Sequence, residues 1–285
     1  DGGATFTAAN GGITGGGFLF IAPFTMNEGA RQHLWTGGHD IWRTTNQATS
    51  WTRATGVNAA CGGGSISAIA AHPLDPNRVL VGMSDGCYHY NHSALSASGG
   101  TWPGGGFVAP GYISWIAWDP TNINVAYMTV STFGATNVLK TTNGGVSWVA
   151  RTGSGGTALP QIPALSVAVS PIDAQQVFVG TDLGVFTSVD GGGSWYVENT
   201  GFANAPVESL RVSDSAPRQL FAFTHGRGAW RVSMTDGGGA GGVQPPSNLR
   251  IVSISGTIVT LAWDLPSTGP APEAFQLEGG VAPGQ

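Results

Sequence analysis

Ser188-Val-Asp-Gly-Gly-Gly-Ser-Trp195 decides the fold, because the chain repeats it. Thr141-Thr-Asn-Gly-Gly-Val-Ser-Trp148 and Thr44-Thr-Asn-Gln-Ala-Thr-Ser-Trp51 are further copies of this eight-residue box. Leu95-Ser-Ala-Ser-Gly-Gly-Thr-Trp102 keeps only the second half, and a cut copy, Asp1-Gly-Gly-Ala-Thr-Phe6, opens the chain. The third positions fall at residues 1, 46, 97, 143 and 190, in steps of 45, 51, 46 and 47. A period of this size is one supersecondary unit, repeated.

Each interval between boxes reads alike. In the fourth, Leu165–Val169 alternates as a first strand, and Ser170-Pro-Ile-Asp173 supplies turn chemistry. Gln176–Gly180 and Gly184–Thr187 follow as second and third strands, and the box turns the chain into a fourth, Trp195–Glu198. Ile66–Ala71 with His72-Pro-Leu-Asp75, Ile113–Trp118 with Asp119-Pro-Thr-Asn122, and Val207–Val212 with Ser213-Asp214 repeat the opening strand and turn. Four strands per period predict an all-β chain, an antiparallel propeller of five repeat units over residues 1–235. The last repeat, 207–233, lacks its own fourth strand. Residues 4–9 either supply it and close a small ring, or the stretch ends a larger one. The larger parent is the preferred reading, because the chain starts inside a box.

Composition agrees. Charged residues make up 9%, against roughly 25% in an ordinary soluble domain, and glycine numbers 46 of 285. Hydrophobic residues still reach 41%, with 10 Trp, so a sizeable core is available and disorder is excluded. No apolar run approaches the ~20 residues that span a bilayer. Net charge is −5 with Lys140 as the one lysine, and without a basic run the chain lacks the footprint of a nucleic-acid binder. Two cysteines, Cys61 and Cys87, scarce lysine and a Gly/Ser/Thr-rich surface fit an exported protein with one disulfide, extracellular or periplasmic. Two buried thiols are the alternative. No signal peptide is visible.

The boxes resemble the Asp-box, or BNR, repeat, whose hairpin motif is Ser/Thr-x-Asp-x-Gly-x-Thr/Ser-Trp/Phe. Residues 188–195 match it fully, 141–148 match with Asn for Asp, and 44–51 also lose the Gly. The closing segment Leu220–Val232 looks like the last blade of secreted bacterial glycoside-hydrolase-like and sortilin-like members. The resemblance implies a structural job for Asp1, Asn46, Asn143 and Asp190, which cap the hairpin, and for Trp51, Trp102, Trp148 and Trp195, which wedge between blades. It does not select one activity. Sialidases, xyloglucan-degrading endoglucanases, sorting receptors and assembly factors share the motif, and fold does not imply function.

Residues 236–246 read as a Gly/Pro-rich linker. Beyond it, 247–285 resembles a truncated fibronectin type III module, a partial β-sandwich with strands at Pro246–Val252, Thr257–Trp263 and Ala274–Glu278.

In a propeller the corners joining second to third strands lie on the face opposite the boxes, so functional groups are sought there. Asp40, Asp85 and Asp182 occupy three such corners, with His225 and Arg227 at a fourth. In the xyloglucan-degrading relatives a catalytic Asp sits in a Gly-x-Asp-hydrophobic-Gly corner, which Gly180-Thr-Asp-Leu-Gly184 matches. The resemblance thus implies Asp/Glu acid–base chemistry with Asp182, Asp85 and Asp40 as candidates. The alternative for each is a turn-forming Asp. An inverting pair needs carboxyl groups about 6.5–9.5 Å apart. In those relatives the pair comes from two propellers, so this stretch carries half a site or none. Trp115 and Tyr112 are candidate sugar platforms and His225 and Arg227 candidate substrate contacts, with core filling as the alternative for Trp115. A sialidase is disfavoured, since no Tyr sits in a nucleophile context. Cys87, His89 and His92 fit no standard zinc spacing, so neither metal nor cofactor is expected. The sequence therefore reads as a monomeric, exported, glycoside hydrolase-like propeller acting on polysaccharide. A non-catalytic propeller binding carbohydrate or protein is the alternative.

A bond between Cys61 and Cys87 would stabilise the chain by about 3 kcal/mol in the chain-entropy model. Alkylation of the unreduced, unfolded protein is expected to modify no cysteine; two modified residues would exclude the bond.

Overall fold

The computed structural model describes residues 4–56, 63–98, 102, 104–134, 136–198, 205–213, 215–234, 247–255 and 258–264. The chain divides into two compact units, Asp1–Asp236 and Gly237–Gln285.

The first unit is a succession of antiparallel sheets, each a simple meander. Sheet 1 comprises β1 (Phe24–Met26), β2 (Leu34–Gly37), β3 (Asp40–Thr44) and β4 (Thr52–Gly56). Sheet 2 comprises β5 (Ile66–Ala71), β6 (Val79–Met83), β7 (Cys87–Asn91) and β8 (Gly104–Phe107). Sheet 3 holds β9 (Tyr112–Trp118), β10 (Ala126–Ser131), β11 (Val138–Thr141) and β12 (Val149–Ala150). Sheet 4 holds β13 (Ala164–Val169), β14 (Val177–Thr181), β15 (Gly184–Ser188) and β16 (Tyr196–Val197). Sheet 5 has three strands, β17 (Val207–Val212), β18 (Gln219–Thr224) and β19 (Gly228–Ser233). The first strand of each sheet packs on the first strand of the next, from β1 to β5, β9, β13 and β17.

Residues 4–9 form no strand, so they do not complete sheet 5, and β19 is exposed along its whole length. Asp1 lies outside the described residues. So does Cys61; Cys87 is buried at the start of β7.

Strands β6, β10, β13 and β14 are buried on both faces, and the core lies between consecutive sheets. Trp35 and Ile41 meet Val79 and Val81 between sheets 1 and 2. Leu80 and Tyr88 meet Ile116 and Met128 at the next junction, and Tyr127 and Val138 meet Val167 and Val179 at the third. Phe178 and Val185 meet Leu210 and Leu220 at the fourth. Each junction is also pinned by hydrogen bonds. The inner strands of sheets 2 to 5 share a register shift near their start, a bulge that re-aims one side chain. Ser67 donates to the Ile113 carbonyl at 2.7 Å, Ser114 to the Ala164 carbonyl at 2.6 Å, and Ser166 to the Val207 carbonyl at 3.3 Å. Beside these bonds the sheets approach so closely that a Cβ at Gly37, Gly82 or Gly180 would fall within 2.6 Å of Ile66, Ile113 or Val207 on the next sheet.

The boxes form tight hairpins between third and fourth strands. In 188–195, Ser188 donates to Asp190 Oδ1 at 2.8 Å, and its Oγ accepts from the Gly192 N–H at 2.8 Å. Asp190 Oδ1 accepts from the Ser194 N–H at 2.8 Å. Partial burial works against the Asp190 carboxylate, yet the bonds from Ser188, Ser194 and Gly193 prevail and hold its pKa below the ordinary value. Asn143 and Asn46 make the same bonds through Oδ1. The preceding sheet then caps the hairpin: Tyr127 donates its hydroxyl to the Gly191 carbonyl at 3.3 Å, and His92 bonds the Gly144 carbonyl at 2.8 Å. Trp102 stands edge-on to Trp35, and Trp148 edge-on to Tyr88, each reaching back one sheet. Trp195 donates to the Arg151 carbonyl at 2.9 Å, and Trp51 to the Ala9 carbonyl at 2.7 Å.

In the second unit β20 (Ser247–Ser255) and β21 (Ile258–Asp264) pair antiparallel, with Arg250 and Asp264 ion-paired at 3.0 Å. The linker 236–246 and the expected strand at 274–278 lie outside the described residues.

Ser188→Ala leaves the buried Gly192 N–H without its acceptor and is expected to cost about 1–3 kcal/mol in urea unfolding. Asp190→Asn, which copies the Asn boxes, should stay within about 0.5 kcal/mol of the parent.

Burial also lowers the pKa of His72 and His89 from 6.5, only partly opposed at His72 by the Asn122 and Asp119 carbonyls and at His89 by Asp85. Below 6.5 the unfolded chain binds protons that the native histidines refuse, so stability falls as pH drops through that window. Thermal melts from pH 7.5 to 5 should show Tm falling, with a smaller fall in His89→Gln.

Candidate functional site

Three of the five corners between second and third strands hold the candidate acids. Each stands on its own sheet, and their local bonding differs.

Asp40 opens β3 and pairs with Arg53 of β4 at 2.7 Å on an exposed surface. The hydrogen bond and charge of Asp40 raise the pKa of Arg53 in return. Asp85 is committed to its turn: one oxygen accepts from the Cys87 N–H and the other from the Gly64 N–H, both at 3.1 Å. That second bond ties the corner to the segment entering β5.

The Asp182 corner is built differently. Thr181, fully buried, accepts from the Leu183 N–H at 3.1 Å and donates to the Gly184 carbonyl at 3.0 Å. Gly184 adopts φ 112°, a left-handed value that closes the two-residue turn. Thr181 thus does the turn-forming work, and no described residue bonds the half-buried Asp182 carboxylate. Sheet 5 repeats the device, with Thr224 donating to the Gly228 carbonyl at 2.7 Å.

His225 Nδ1 lies 3.2 Å from Glu208 Oε1, and the Arg227 carbonyl accepts from the Trp230 indole at 2.9 Å. Tyr112 is 37% exposed at the start of β9, and partial burial raises its pKa. Trp115 is half-buried against the junction of sheets 3 and 4, and the Arg211 guanidinium lies 4.6 Å from its ring centroid. One indole face is therefore covered by a cation rather than left open. Arg211 on β17 reaches β9 past the intervening β13, so these inner strands surround a common axis.

Arg53, Glu208 and Arg211 are the groups that sequence reading missed. Arg211 had a legible signal: it stands where the inner strands of sheets 1 to 4 carry Thr25, Ala70, Ala117 and Ala168.

Among the described residues no three His, Cys, Asp or Glu side chains gather as a metal site. His92 is engaged at Gly144, and burial lowers the pKa of His89. No described helix is long and apolar enough to cross a membrane.

No protein-family model and no curated protein matches the sequence. Solved structures match the fold. An ancestral GH74 enzyme superposes with TM-score 0.51 at 17% identity, over 73% of this chain and 30% of that one. A GH74 enzyme of Niastella koreensis superposes with TM-score 0.58 at 14% identity, over 78% and 37%. The β-propeller domain of Cps50 (Swd1) from Myceliophteria thermophila gives 0.55 at 10% identity, over 88% and 72%. The chain spans about a third of the length of the GH74 enzymes it matches. Sheets succeeding one another around an axis, with these neighbours, define a β-propeller protein.

Proposed function

We propose that this chain is part of an exported, carbohydrate-active Asp-box propeller of five repeat units, with glycoside hydrolysis as its reaction class. The tail would be a truncated fibronectin type III module. The likeness to GH74 enzymes supports a polysaccharide substrate. The contrast among the corner acids carries the assignment of a residue. Asp40 is ion-paired and Asp85 is spent on its turn, whereas Thr181 builds the third corner and leaves the Asp182 carboxylate unspent.

In this reading Asp182 is one of the two carboxyl groups that such hydrolysis requires. It either protonates the leaving oxygen or activates water, and its partner comes from another part of the parent protein. A ligand backbone can approach the corner closely because Gly184 bears no side chain. The non-catalytic reading keeps one observation in its favour: the corner acids stand on separate sheets, two of them already engaged.

One substitution separates the two. Asp182→Asn keeps the shape and removes the charge. In the full-length protein it should lower polysaccharide hydrolysis at least ~100-fold, the low end for general acid–base catalysis, with the melting temperature unchanged. Hydrolysis at the parental rate would return Asp182 to the turn. Retention of polysaccharide without any turnover, in parent and variant alike, would establish a binding propeller.

A further inference from the structure

One hydroxyl closes the corner that carries Asp182. The Thr181 Oγ1 accepts from the Leu183 N–H, two residues on, at 3.1 Å. The ring so formed encloses the Asp182 backbone, so this bond fixes the two dihedrals from which the Asp182 side chain is aimed. The same hydroxyl donates to the Gly184 carbonyl at 3.0 Å, and Thr181 and Gly184 are partners across the hairpin. Thr181 is 0% exposed, so water does not compete for either bond.

The ladder beneath the corner is held from both sides. Thr181 pairs with Ala164 of β13, whose carbonyl accepts from Ser114 of sheet 3 at 2.6 Å. Gly180 lies against Val207 of sheet 5, whose carbonyl accepts from Ser166 at 3.3 Å. Thr181 is thus a fixed point, and the turn that hangs from it inherits its position. Sheet 2 gives the contrast. Its second strand ends in Met83, which has no hydroxyl, and the Asp85 carboxylate itself accepts from the Cys87 N–H two residues on. The bond that Asp85 makes for its own turn is made for Asp182 by its neighbour. With no described residue bonded to the Asp182 carboxylate, its direction comes from its backbone.

We infer that Thr181 is a positioning residue: through the Leu183 N–H it holds the Asp182 carboxylate in the direction in which it exchanges a proton with the leaving oxygen or the attacking water. The inference rests on the reading of Asp182 above and adds to it a buried residue that touches no substrate. The carboxyl carbon stands two bonds beyond the Cα, so a loosened turn moves it directly. A shift of about 1 Å in a reacting group can cost on the order of 100-fold in rate.

Polysaccharide hydrolysis by the full-length protein tests it, with kcat and KM measured separately at a temperature where every variant is folded. Thr181→Val keeps the volume and removes both bonds. Its kcat should fall about 10- to 100-fold with KM unchanged, the pattern of a group that acts in the transition state. Thr181→Ser returns the hydroxyl and should recover most of that loss. Ser188→Ala loosens the box hairpin at the other end of the same sheet, so it should lower the melting temperature and leave kcat alone. If Thr181→Val does not fold, Thr181→Cys, small and only weakly hydrogen-bonding, takes its place with the same expectation. Parental kcat without the hydroxyl, while Asp182→Asn is inactive, would overturn the inference and leave the Asp182 reading standing. So would a loss that Thr181→Ser does not recover, or an equal loss in Ser188→Ala, which would make Thr181 a stabiliser of the sheet alone. Asp182→Asn at the parental rate, or a parent without turnover, would end both.

Discussion

Close approach between consecutive sheets is the constraint on which the first unit depends. A serine on the inner strand of sheets 2, 3 and 4 bonds a carbonyl at the start of the next inner strand, and in sheets 2 and 4 a missing side chain beside it lets the two backbones come together. This spacing sets which side chains fit the junctions. Sheet 3 keeps Thr129 at the slot where its neighbours have glycine, and Ser114 meets that hydroxyl at 3.0 Å while bonding the Ala164 carbonyl. The boxes then lock each sheet from below, since the tyrosine or histidine of one sheet caps the hairpin of the next. Sheets so coupled are rigid platforms, which is what a corner residue such as Asp182 needs if its geometry is to matter.

The repeat was legible because its signals are local. Trp195 and Asp190 stand five residues apart, and each strand alternates within its own span, so the box and its period announce the sheets directly. The inner strands at Ile66–Ala71 and Val207–Val212 fall where the sequence places them. The short fourth strands shrink to Tyr196–Val197 and Val149–Ala150, because the box tryptophan leaves the ladder to pack on its neighbour.

The chemistry was less legible, for a physical reason. Whether a corner aspartate is spent depends on partners that the repeat does not specify. Arg53 takes Asp40 from thirteen residues away, and Gly64 takes Asp85 from twenty-one. Trp115 was a candidate sugar platform with core filling as the alternative, and the guanidinium over one side of its ring comes from a strand almost a hundred residues later. Local pattern thus fixes the scaffold, and long-range pairing decides which polar groups remain available on it.

Outer edges are where β-proteins recruit unwanted strands, and this chain keeps most of them small. β12 and β16 offer two residues each, too little backbone to template a ladder. β8 is longer but glycine-rich, and the rings of Tyr88 and Tyr90 lie over its backbone, so close at Gly104 that no side chain would fit. β4 offers five residues, and β19 six that are all exposed, with no described strand paired beyond either. Among the described strands of the first unit, the β19 rim is the widest doorway for fibrillar or intermolecular sheet growth wherever this protein is concentrated.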